Sequence, residues 1–403
     1  MSVLSNKRII LGVTGSIAAY KAADLASKLT QAGAQVDVIL TDSAQKFVTP
    51  LTFQSVTGRR AYTDADLWGD EAHVLHVGLG HAADLLVIAP CTANTLAKLA
   101  HGEANTLLTV TALAATCPLL LAPAMDGGMY DHAATQENLD TLRKRGAAII
   151  EPAEGHLASG LTGKGRLPET NELIGHIRLT LGREGCLAHR KVIVTAGGTQ
   201  EPLDPVRVLT NKSSGKQGYA LAQAALDAGA EVTLITTPTS LTPPVGANVV
   251  HVQTAKQMLD AVLNESTNAD VLIMAAAVAD FRPKHAASDK IKKEGGVPQI
   301  ELEGTEDILK AVANRRSEVK RLKMVAGFAA ESQNLIENAS NKLKSKGLDM
   351  IAANDISATD AGFSVETNRV TLLFADGRRE SLSLMSKMEV AEIMIERIGK
   401  LLE

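Results

Sequence analysis

The sequence predicts an α/β protein with two doubly wound, Rossmann-like domains and mainly parallel sheets. Short apolar runs alternate with helical patterns along the 403 residues, which is typical of parallel strands with helices on both faces. The segment AGAQVDVIL at 32–40 is echoed by AGAEVTLIT at 228–236, which indicates that a second sheet begins there. With 32 glycines and only 3% aromatic residues, the chain has the composition of many such proteins.

Strands are predicted in order from the apolar runs. Five fall in the first half: Arg8–Val13, Gln35–Thr41, Asp84–Ala89, Pro118–Ala122 and Ala147–Ile150. Six fall in the second half: Lys191–Ala196, Glu231–Thr236, Val271–Ala276, Met324–Phe328, Met350–Ala353 and Val370–Phe374. Glycine and charge interrupt the pattern near 178–190, so we expect domains at 1–186 and 187–403. The alternative, one large sheet, suits this length less well.

Composition excludes several classes of protein. Hydrophobic residues make up 45% and charged residues 21%, which indicates an ordered globular chain. The net charge of −4 gives no reason to expect a nucleic-acid partner. Cys91, Cys117 and Cys186 lack disulfide or metal-site spacing, so a cytoplasmic location is expected. The uncharged stretch 104–125 is not expected to span a membrane, because Asn105, threonines and prolines interrupt it.

A carboxylate and several lysines stand out at 271–293, VLIMAAAVADFRPKHAASDKIKK. A buried strand is predicted to end before Asp280, and Lys284, Lys290 and Lys292 follow it. A carboxylate facing a metal, with ammonium groups facing phosphates, suits a magnesium nucleotide. The alternative is a strand followed by a solvated loop.

Three motifs of the first half each follow a predicted strand: GVTGSIAAYK at 12–21, APCTANT at 89–95 and LLLAPAMDGGMY at 119–130. Gly12 and Gly15 permit close backbone approach, and the following helix start favours a phosphate. The spacing is not G-x-G-x-x-G, so NAD is not indicated.

In this order the motifs resemble those of the flavin-dependent cysteine decarboxylases, which include phosphopantothenoylcysteine decarboxylase and the lantibiotic peptidyl-cysteine decarboxylases. The resemblance covers about residues 8–170 and implies a trimer that holds FMN at its subunit interface. The flavin contacts that it implies are Gly15, Ser16, Ile17, Thr41, Thr92, Ala93 and Asn94.

The resemblance also places the catalytic histidine at His76, in HVLHVGLGH at 73–81. His73 and His81 are its neighbours, and for each of the three histidines a surface imidazole is the alternative. Two positions depart from the family pattern. Asp126 replaces the asparagine that helps to hold the substrate carboxylate. The Asp126 carboxylate and the substrate carboxylate would repel each other because both are negative. Ser159 replaces a flap cysteine that protonates the enethiolate, and a hydroxyl is a far weaker acid than a thiol. His156, on the same flap, is a candidate substitute acid.

A second glycine-rich run, VTAGGTQEPLDPVRVLTNKSSGKQGYALA, occupies 194–222. Gly197 and Gly198 predict a tight turn, and the serines and glycines at 213–218 suit a phosphate, although the Walker A pattern is absent. Together with AAAVADF, DKIKK, GFAAES and IAANDI, this run resembles the phosphopantothenate–cysteine ligase domain.

That second resemblance implies a reaction in which CTP activates 4′-phosphopantothenate as an acyl-cytidylate, which the cysteine amine then attacks. It implies that Asn211 holds the acyl-cytidylate and that Lys290 neutralises the reacting phosphate. Asp280 would bind Mg²⁺ and the nucleotide, and Phe328 would wall the cytosine pocket. Lys342 and Lys346 would contact the nucleotide; an ordinary basic helix face is the alternative.

The two resemblances, in this order, imply a bacterial bifunctional enzyme of coenzyme A biosynthesis. It would ligate cysteine to 4′-phosphopantothenate and decarboxylate the product on FMN to 4′-phosphopantetheine, in an assembly of decarboxylase trimers joined by ligase dimers. One alternative is a ligase whose flavin domain no longer decarboxylates, given Asp126 and Ser159. Another is a flavin-binding regulatory module, against which the intact ligase motifs argue.

Overall fold

The computed structural model describes residues 2–68, 74–158, 160–292, 298–316, 319, 321–331, 333–355 and 365–403. The chain forms two compact units, which cover residues 2–181 and 182–403. Each unit is built on its own mainly parallel sheet, so the predicted class of two doubly wound domains is confirmed.

The first unit has a six-stranded parallel sheet in the order β3-β2-β1-β4-β5-β6 and a separate hairpin, β7–β8. Its strands are β1 Arg8–Val13, β2 Gln35–Leu40, β3 Ala61–Thr63, β4 Leu85–Cys91, β5 Leu119–Pro123, β6 Ala148–Ile149, β7 Ala153–His156 and β8 Thr162–Arg166. Its α-helices are α1 Ala19–Gln31, α2 Pro50–Thr57, α3 Leu75–Ala82, α4 Ala93–His101, α5 Leu107–Ala114, α6 Gly127–Asp131, α7 Ala133–Lys144 and α8 Thr170–Gly182. Short 3₁₀ helices occupy Ala44–Lys46 and Asp64–Trp68.

The strand order of the first sheet reverses between β1 and β4. The chain runs from β1 outward to β2 on one side and returns to β4 on the other. In open α/β sheets this reversal opens a crevice at the carboxyl ends of the strands. The central strand β1 is nearly wholly buried, and β4 is buried along its whole length, because helices cover both faces.

The second unit has an eight-stranded sheet in the order β13-β12-β9-β14-β17-β18-β20-β21, in which the edge strands β20 and β21 run antiparallel. Its strands are β9 Lys191–Ala196, β10 Gln200–Pro202, β11 Val208–Thr210, β12 Glu231–Thr236, β13 Asn248–His251, β14 Val271–Met274, β15 Phe281–Pro283, β16 Leu302–Gly304, β17 Met324–Glu331, β18 Met350–Asp355, β19 Thr367–Asn368, β20 Val370–Phe374, β21 Arg379–Ser381 and β22 Met385–Ser386. Its helices are α9 Lys216–Asp227, α10 Ala255–Ser266, α11 Ile308–Arg316, α12 Leu335–Ser345 and α13 Lys387–Leu402. The chain reverses direction between β9 and β14.

Every strand predicted from an apolar run is present, with ends that differ by at most three residues. The strands that the sequence did not predict have two to five residues, as in β7–β8 and β19–β22, and such lengths carry no detectable period. The segment 104–125 contains α5 and β5. In the described ranges no helix is long and apolar enough to span a membrane.

Candidate active sites

A cavity of about 880 Å³ opens at the carboxyl ends of β1, β4 and β5 in the first unit. It brings together the glycine loop, the loop after β4, the start of α6 and the β7–β8 hairpin. The predicted site residues that line it are Gly15, Ser16, Ile17, Thr41, Thr92, Ala93, Asn94, Asp126 and His156.

Thr14 ties the two central loops of this cavity together, and sequence reasoning missed it. Its Oγ1 donates to the carbonyl oxygen of Pro90 at 2.8 Å and accepts from the Thr92 N–H at 3.0 Å. The ends of β1 and β4 are therefore joined where the ligand crevice opens. A threonine after a strand is too common to signal this role.

The glycine loop forms a close-fitting cradle before α1. A Cβ atom at Gly15 would lie only 2.4 Å from Ser43 Cβ, so only glycine fits there without movement. Among the described residues no side chain caps the N-terminus of the 13-residue α1, and the partial positive charge of a helix N-terminus suits a phosphate. The cavity volume lies in the range of cofactor sites. The cradle and cavity thus fit FMN.

The β7–β8 hairpin is fastened beside the cavity at two places. Met125 N–H donates to the Gly165 carbonyl oxygen at 3.0 Å, and a Cβ at Gly165, where φ is +150°, would lie 2.2 Å from Met125 O. Glu151 accepts from Tyr130 Oη and from Lys164 Nζ, each at 2.7 Å. The hairpin therefore presents His156 to the cavity. Ser159 lies outside the described residues.

Asp126 lines the cavity as the N-cap of α6, where its Oδ1 accepts from Gly128 N–H at 3.0 Å. Asparagine and aspartate cap helices about equally well, so the departure from the family pattern keeps the helix start and changes the charge.

His76 lies half-buried on the first turn of α3 and is absent from the described lining of the cavity. His81 is exposed, and His73 lies outside the described residues.

The cysteines offer no acid to this cavity. Burial raises the pKa of Cys91, Cys117 and Cys186, and none of them belongs to the described lining. A raised thiol pKa makes the reactive thiolate rare, so the three thiols are expected to be chemically inert.

In the second unit, a small cavity of about 60 Å³ lies at the carboxyl ends of the central strands, beside the start of α9. The described residues include no side-chain cap for the 12-residue α9, whose N-cap is Gly215. The cavity is lined by Ser213, Ser214, Gly215, Lys216, Gln217, Gly218, Ala275, Phe328, Ala329, Asn354, Asn368 and Lys387. The predicted phosphate loop and Phe328 therefore meet here.

Asn211 and Asp280 are both exposed, and neither belongs to the described lining of this cavity. The Asn211 amide donates to the carbonyl oxygens of Ala277 and Val278 at 3.3 and 3.2 Å, so its orientation is set by the backbone after β14. In the described ranges no group of three or more His, Cys, Asp or Glu could hold a metal ion. A single carboxylate still suits Mg²⁺ when a nucleotide supplies phosphate oxygens.

The two lysines predicted to contact nucleotide both make contacts within the unit. Lys342 Nζ donates to the Phe328 carbonyl oxygen at 2.9 Å. Lys346 follows the last residue of α12 and pairs with Asp307. Lys342 therefore lies beside Phe328, whereas the contact of Lys346 is with Asp307.

Asp204 holds the lysine-rich segment 284–292 through Ile291. This role was not predicted from the sequence. Its buried carboxylate accepts from the N–H groups of Val206, Arg207 and Ile291 at 2.8–3.1 Å and from the Arg207 guanidinium at 2.9 Å. Burial alone would raise the pKa of Asp204, but these donors outweigh it and lower the pKa to about 2. Lys290 precedes Ile291, so this carboxylate positions its backbone.

We expect the melting temperature of Asp204→Asn to depend less on pH below about pH 4 than that of the wild type. The folded pKa of about 2 lies below the ordinary value of 3.8, so the stabilisation is present above about pH 4 and is lost as the pH falls towards 2. The melting temperature of the wild type should fall more steeply over this range than that of the variant. Asp260→Asn, exposed on α10, is the control. Parallel melting curves for Asp204→Asn and the wild type would contradict the assignment.

Comparison with known proteins gives matches to both halves of the chain. Residues 2–182 match the family described as Flavoprotein, and residues 187–402 match the DNA/pantothenate metabolism flavoprotein C-terminal domain. The coenzyme A biosynthesis bifunctional protein CoaBC of Bacillus subtilis (strain 168) is 45% identical over 402 residues, which cover 99% of this chain and 98% of the relative. That of Mycobacterium tuberculosis (strain H37Rv) is 46% identical over 404 residues, with 97% and 96% covered.

Solved structures match each half separately. The crystal structure of the C-terminal domain of a CoaBC protein is 41% identical, with a TM-score of 0.46, and covers 54% of this chain and 98% of its own. A cysteine-to-serine mutant of PPC decarboxylase, complexed with pantothenoylaminoethenethiol, is 38% identical, with a TM-score of 0.41, and covers 43% of this chain and 97% of its own.

Proposed function

This chain belongs to the family of coenzyme A biosynthesis bifunctional proteins, and we propose that residues 1–186 carry out the decarboxylation and residues 187–403 the ligation. The chain is a bifunctional enzyme with a flavoprotein decarboxylase half and a ligase half. The observation that carries the assignment of sites is the pair of helix starts, α1 and α9, each at the point where its sheet reverses and each without a side-chain cap from the described residues.

In the ligase half, the substrates are 4′-phosphopantothenate, cysteine and CTP. The substrate carboxylate attacks the α-phosphorus of CTP, pyrophosphate leaves, and the cysteine amine then displaces CMP to form the amide. Asn211 is oriented by two carbonyl oxygens and holds the acyl-cytidylate. Lys290 offsets the developing phosphate charge, and Asp280 binds the Mg²⁺ of the nucleotide. Phe328, Lys342 and Lys346 form the wall of the base site.

In the decarboxylase half, the cavity binds FMN with its phosphate at the start of α1. Bound FMN supplies two-electron chemistry to the cysteinyl end of the substrate, which makes loss of CO₂ possible. Residues of the chain position the flavin and the substrate. Thr92 and Asn94 contact the flavin, and Asp126 and His156 face the substrate. Because Asp126 adds a negative charge, binding of the substrate carboxylate calls for a cation or a proton nearby; Arg166 also lines this cavity.

A neighbouring copy of the chain completes this cavity. Ile17 and Tyr20 line it yet are 59% and 62% exposed, which suits burial against another subunit. His76, which lies away from the cavity of its own chain, would then act in the site of a neighbour. Trimers of this half joined by dimers of the ligase half follow from the family resemblance. The cytoplasmic location remains a prediction.

A two-step assay tests the function. Purified protein with CTP, Mg²⁺, cysteine and 4′-phosphopantothenate should release pyrophosphate and form the amide; the FMN-loaded protein should then release CO₂. Amide formation without CO₂ release would leave only a ligase, and absence of both would overturn the proposal.

The flap variants identify the proton donor of the second step. We expect Ser159→Ala to change the decarboxylation rate little, because a serine hydroxyl is too weak an acid, and Ser159→Cys to preserve or raise the rate. His156→Ala should lower the rate if the imidazole is the donor. Rates are measured with pre-made 4′-phosphopantothenoylcysteine, which bypasses ligation. A large loss in Ser159→Ala alone would show that serine is the donor.

A further inference from the structure

Asn211 and Asp280, both assigned to the ligation site, depend on the same stretch of backbone between β14 and β15. The Asn211 amide donates to the carbonyl oxygens of Ala277 and Val278 at 3.3 and 3.2 Å. Asp280 is the last residue before β15. The positions of both side chains therefore depend on residues 277–280, which we call the 277–280 segment.

Thr199, in the loop after β9, fixes the middle of the 277–280 segment. Its Oγ1 accepts from the Ala279 N–H at 2.9 Å, and its own N–H donates to the Ala277 carbonyl oxygen at 3.2 Å. Thr199 is fully buried, and Ala279 is buried as well. Because water is excluded there, loss of this hydroxyl would leave the Ala279 N–H without its acceptor, at a cost in free energy.

Thr305, directly after β16, holds the peptide groups on both sides of Asp280. Its Oγ1 donates to the Ala279 carbonyl oxygen at 2.6 Å, and its N–H donates to the Asp280 carbonyl oxygen at 3.0 Å. Peptide groups are planar, so fixing the two that flank a Cα atom also fixes the direction of its Cα–Cβ bond. Thr305 therefore sets the direction in which the Asp280 side chain leaves the backbone.

The backbone that leads into the 277–280 segment is anchored in the same way. Thr195, on β9, uses its Oγ1 to accept from the N–H groups of Ala275 and Ala276, each at 3.1 Å. The Ala277 N–H donates to the Gly197 carbonyl oxygen at 2.8 Å, and Ala275 lines the small cavity. The backbone between the cavity and the segment is thus tied at successive residues, which favours one arrangement of the segment.

Thr199 and Thr305 act through the backbone and not on the substrates. Neither belongs to the described lining of the small cavity, and the full burial of Thr199 leaves no surface for a ligand to touch. Reaction rates are sensitive to the placement of the groups around the reacting atoms, and a shift of about 1 Å can cost about 100-fold. Asn211 and Asp280 share one segment, so a shift of that segment would misplace both.

We infer that Thr199 and Thr305 are positioning residues of the ligation, which act by holding the 277–280 segment. In the arrangement that they hold, Asn211 faces the acyl-cytidylate and Asp280 faces the Mg²⁺ of the nucleotide. The inference rests on the proposed CTP-dependent ligation, including the roles proposed for Asn211 and Asp280. Two loops that are far apart in sequence, after β9 and after β16, then control one segment of the active site.

The first experiment removes each hydroxyl with Thr199→Val and Thr305→Val, which keep the branched shape of the side chain. We expect kcat for ligation to fall about 10- to 100-fold, as when a group that orients an active-site ligand is removed. Thr199→Ser and Thr305→Ser keep the hydroxyl and should keep most of the rate. The control, Thr371→Val, removes a hydroxyl on β20 that pairs with Ser381 and should ligate at the normal rate.

The second experiment measures binding instead of rate. In calorimetric titrations, Mg²⁺ should lower the Kd of CTP for the wild type, and Asp280→Asn should lose most of this effect. Thr305→Val should lose part of it, because the Asp280 side chain is no longer held in place, and Thr305→Ser should keep it. A threonine that served only stability would change the melting temperature and leave the effect of Mg²⁺ unchanged.

The outcomes separate the two proposals. The proposed function, and this inference with it, fails if the wild type releases no pyrophosphate from CTP or if Asp280→Asn keeps the whole effect of Mg²⁺. Where both of these tests succeed, this inference alone fails if the valine variants ligate at the normal rate or if the serine variants lose as much as the valine variants. It also fails alone if Thr305→Val keeps the whole effect of Mg²⁺. Because Thr305 is only partly buried, its variants decide the matter even if Thr199→Val does not fold.

Discussion

Asn211→Asp will abolish ligation while leaving the flavin half unchanged. The Asn211 amide donates to two carbonyl oxygens at 3.2 and 3.3 Å, and a carboxylate at this position would face them without a proton to share. It would also place a negative charge beside the acyl phosphate. We expect a loss of about 10²–10³-fold in the rate, the size seen when one donor of a reacting anion is removed.

The measurement is pyrophosphate release and amide formation at saturating CTP, with FMN content as an internal control in the same protein. Asn264→Asp, at an exposed position on α10, is the matched variant and should keep full activity. If Asn211→Asp releases pyrophosphate and forms the amide at the normal rate, Asn211 does not belong to the site.

Gly15→Ala will strip the flavin. The new methyl carbon would lie 2.4 Å from Ser43 Cβ and 3.1 Å from the Ser43 carbonyl carbon, so the loop before α1 must shift, and the phosphate loses its cradle. The wild type should be yellow with tightly held, non-covalent FMN, whereas the variant should be nearly colourless. We expect the Kd of FMN to rise about 100-fold, which is equivalent to about 2.7 kcal/mol.

Two further variants make this test specific. Ser43→Gly removes the side chain that the new methyl group meets, so the Gly15→Ala, Ser43→Gly double variant should recover part of the affinity. Gly78→Ala, in α3, where a Cβ meets nothing within 4 Å, should stay yellow. Normal FMN binding by Gly15→Ala would show that this loop is not the phosphate cradle. A wild type that cannot be loaded with FMN would overturn the flavin site.

The glycine loops show why part of each site could be predicted. A strand, a glycine turn and a helix start are consecutive in the chain, so Gly15 and the segment 213–218 could be predicted as phosphate cradles from their local spacing alone. The same holds for Thr92 and Asn94, which follow β4 directly. Their chemical roles remain predictions, but their place beside a cavity follows from local geometry and from the direction of the strands.

His76 shows where a motif is not enough. The family pattern selects this residue, but a pattern cannot say whether the side chain faces the cavity of its own chain. In the structure it lies on α3 and is not part of the described lining. A variant of His76 therefore tests the assembly of the chains as much as the chemistry.

The alternation of apolar runs and glycine turns was sufficient to predict two parallel sheets and their ligand-binding edges, because these features depend on neighbouring residues. The roles of Thr14 and Asp204 could be recognised only from the folded chain. Thr14 joins the ends of β1 and β4, and Asp204 holds Ile291, so each acts on residues that are distant in sequence and that the fold brings together. Short ribbons such as β19–β22 have no period to detect, yet they place Lys387 beside Lys216. Burial and the nearness of like charges arise only from that packing.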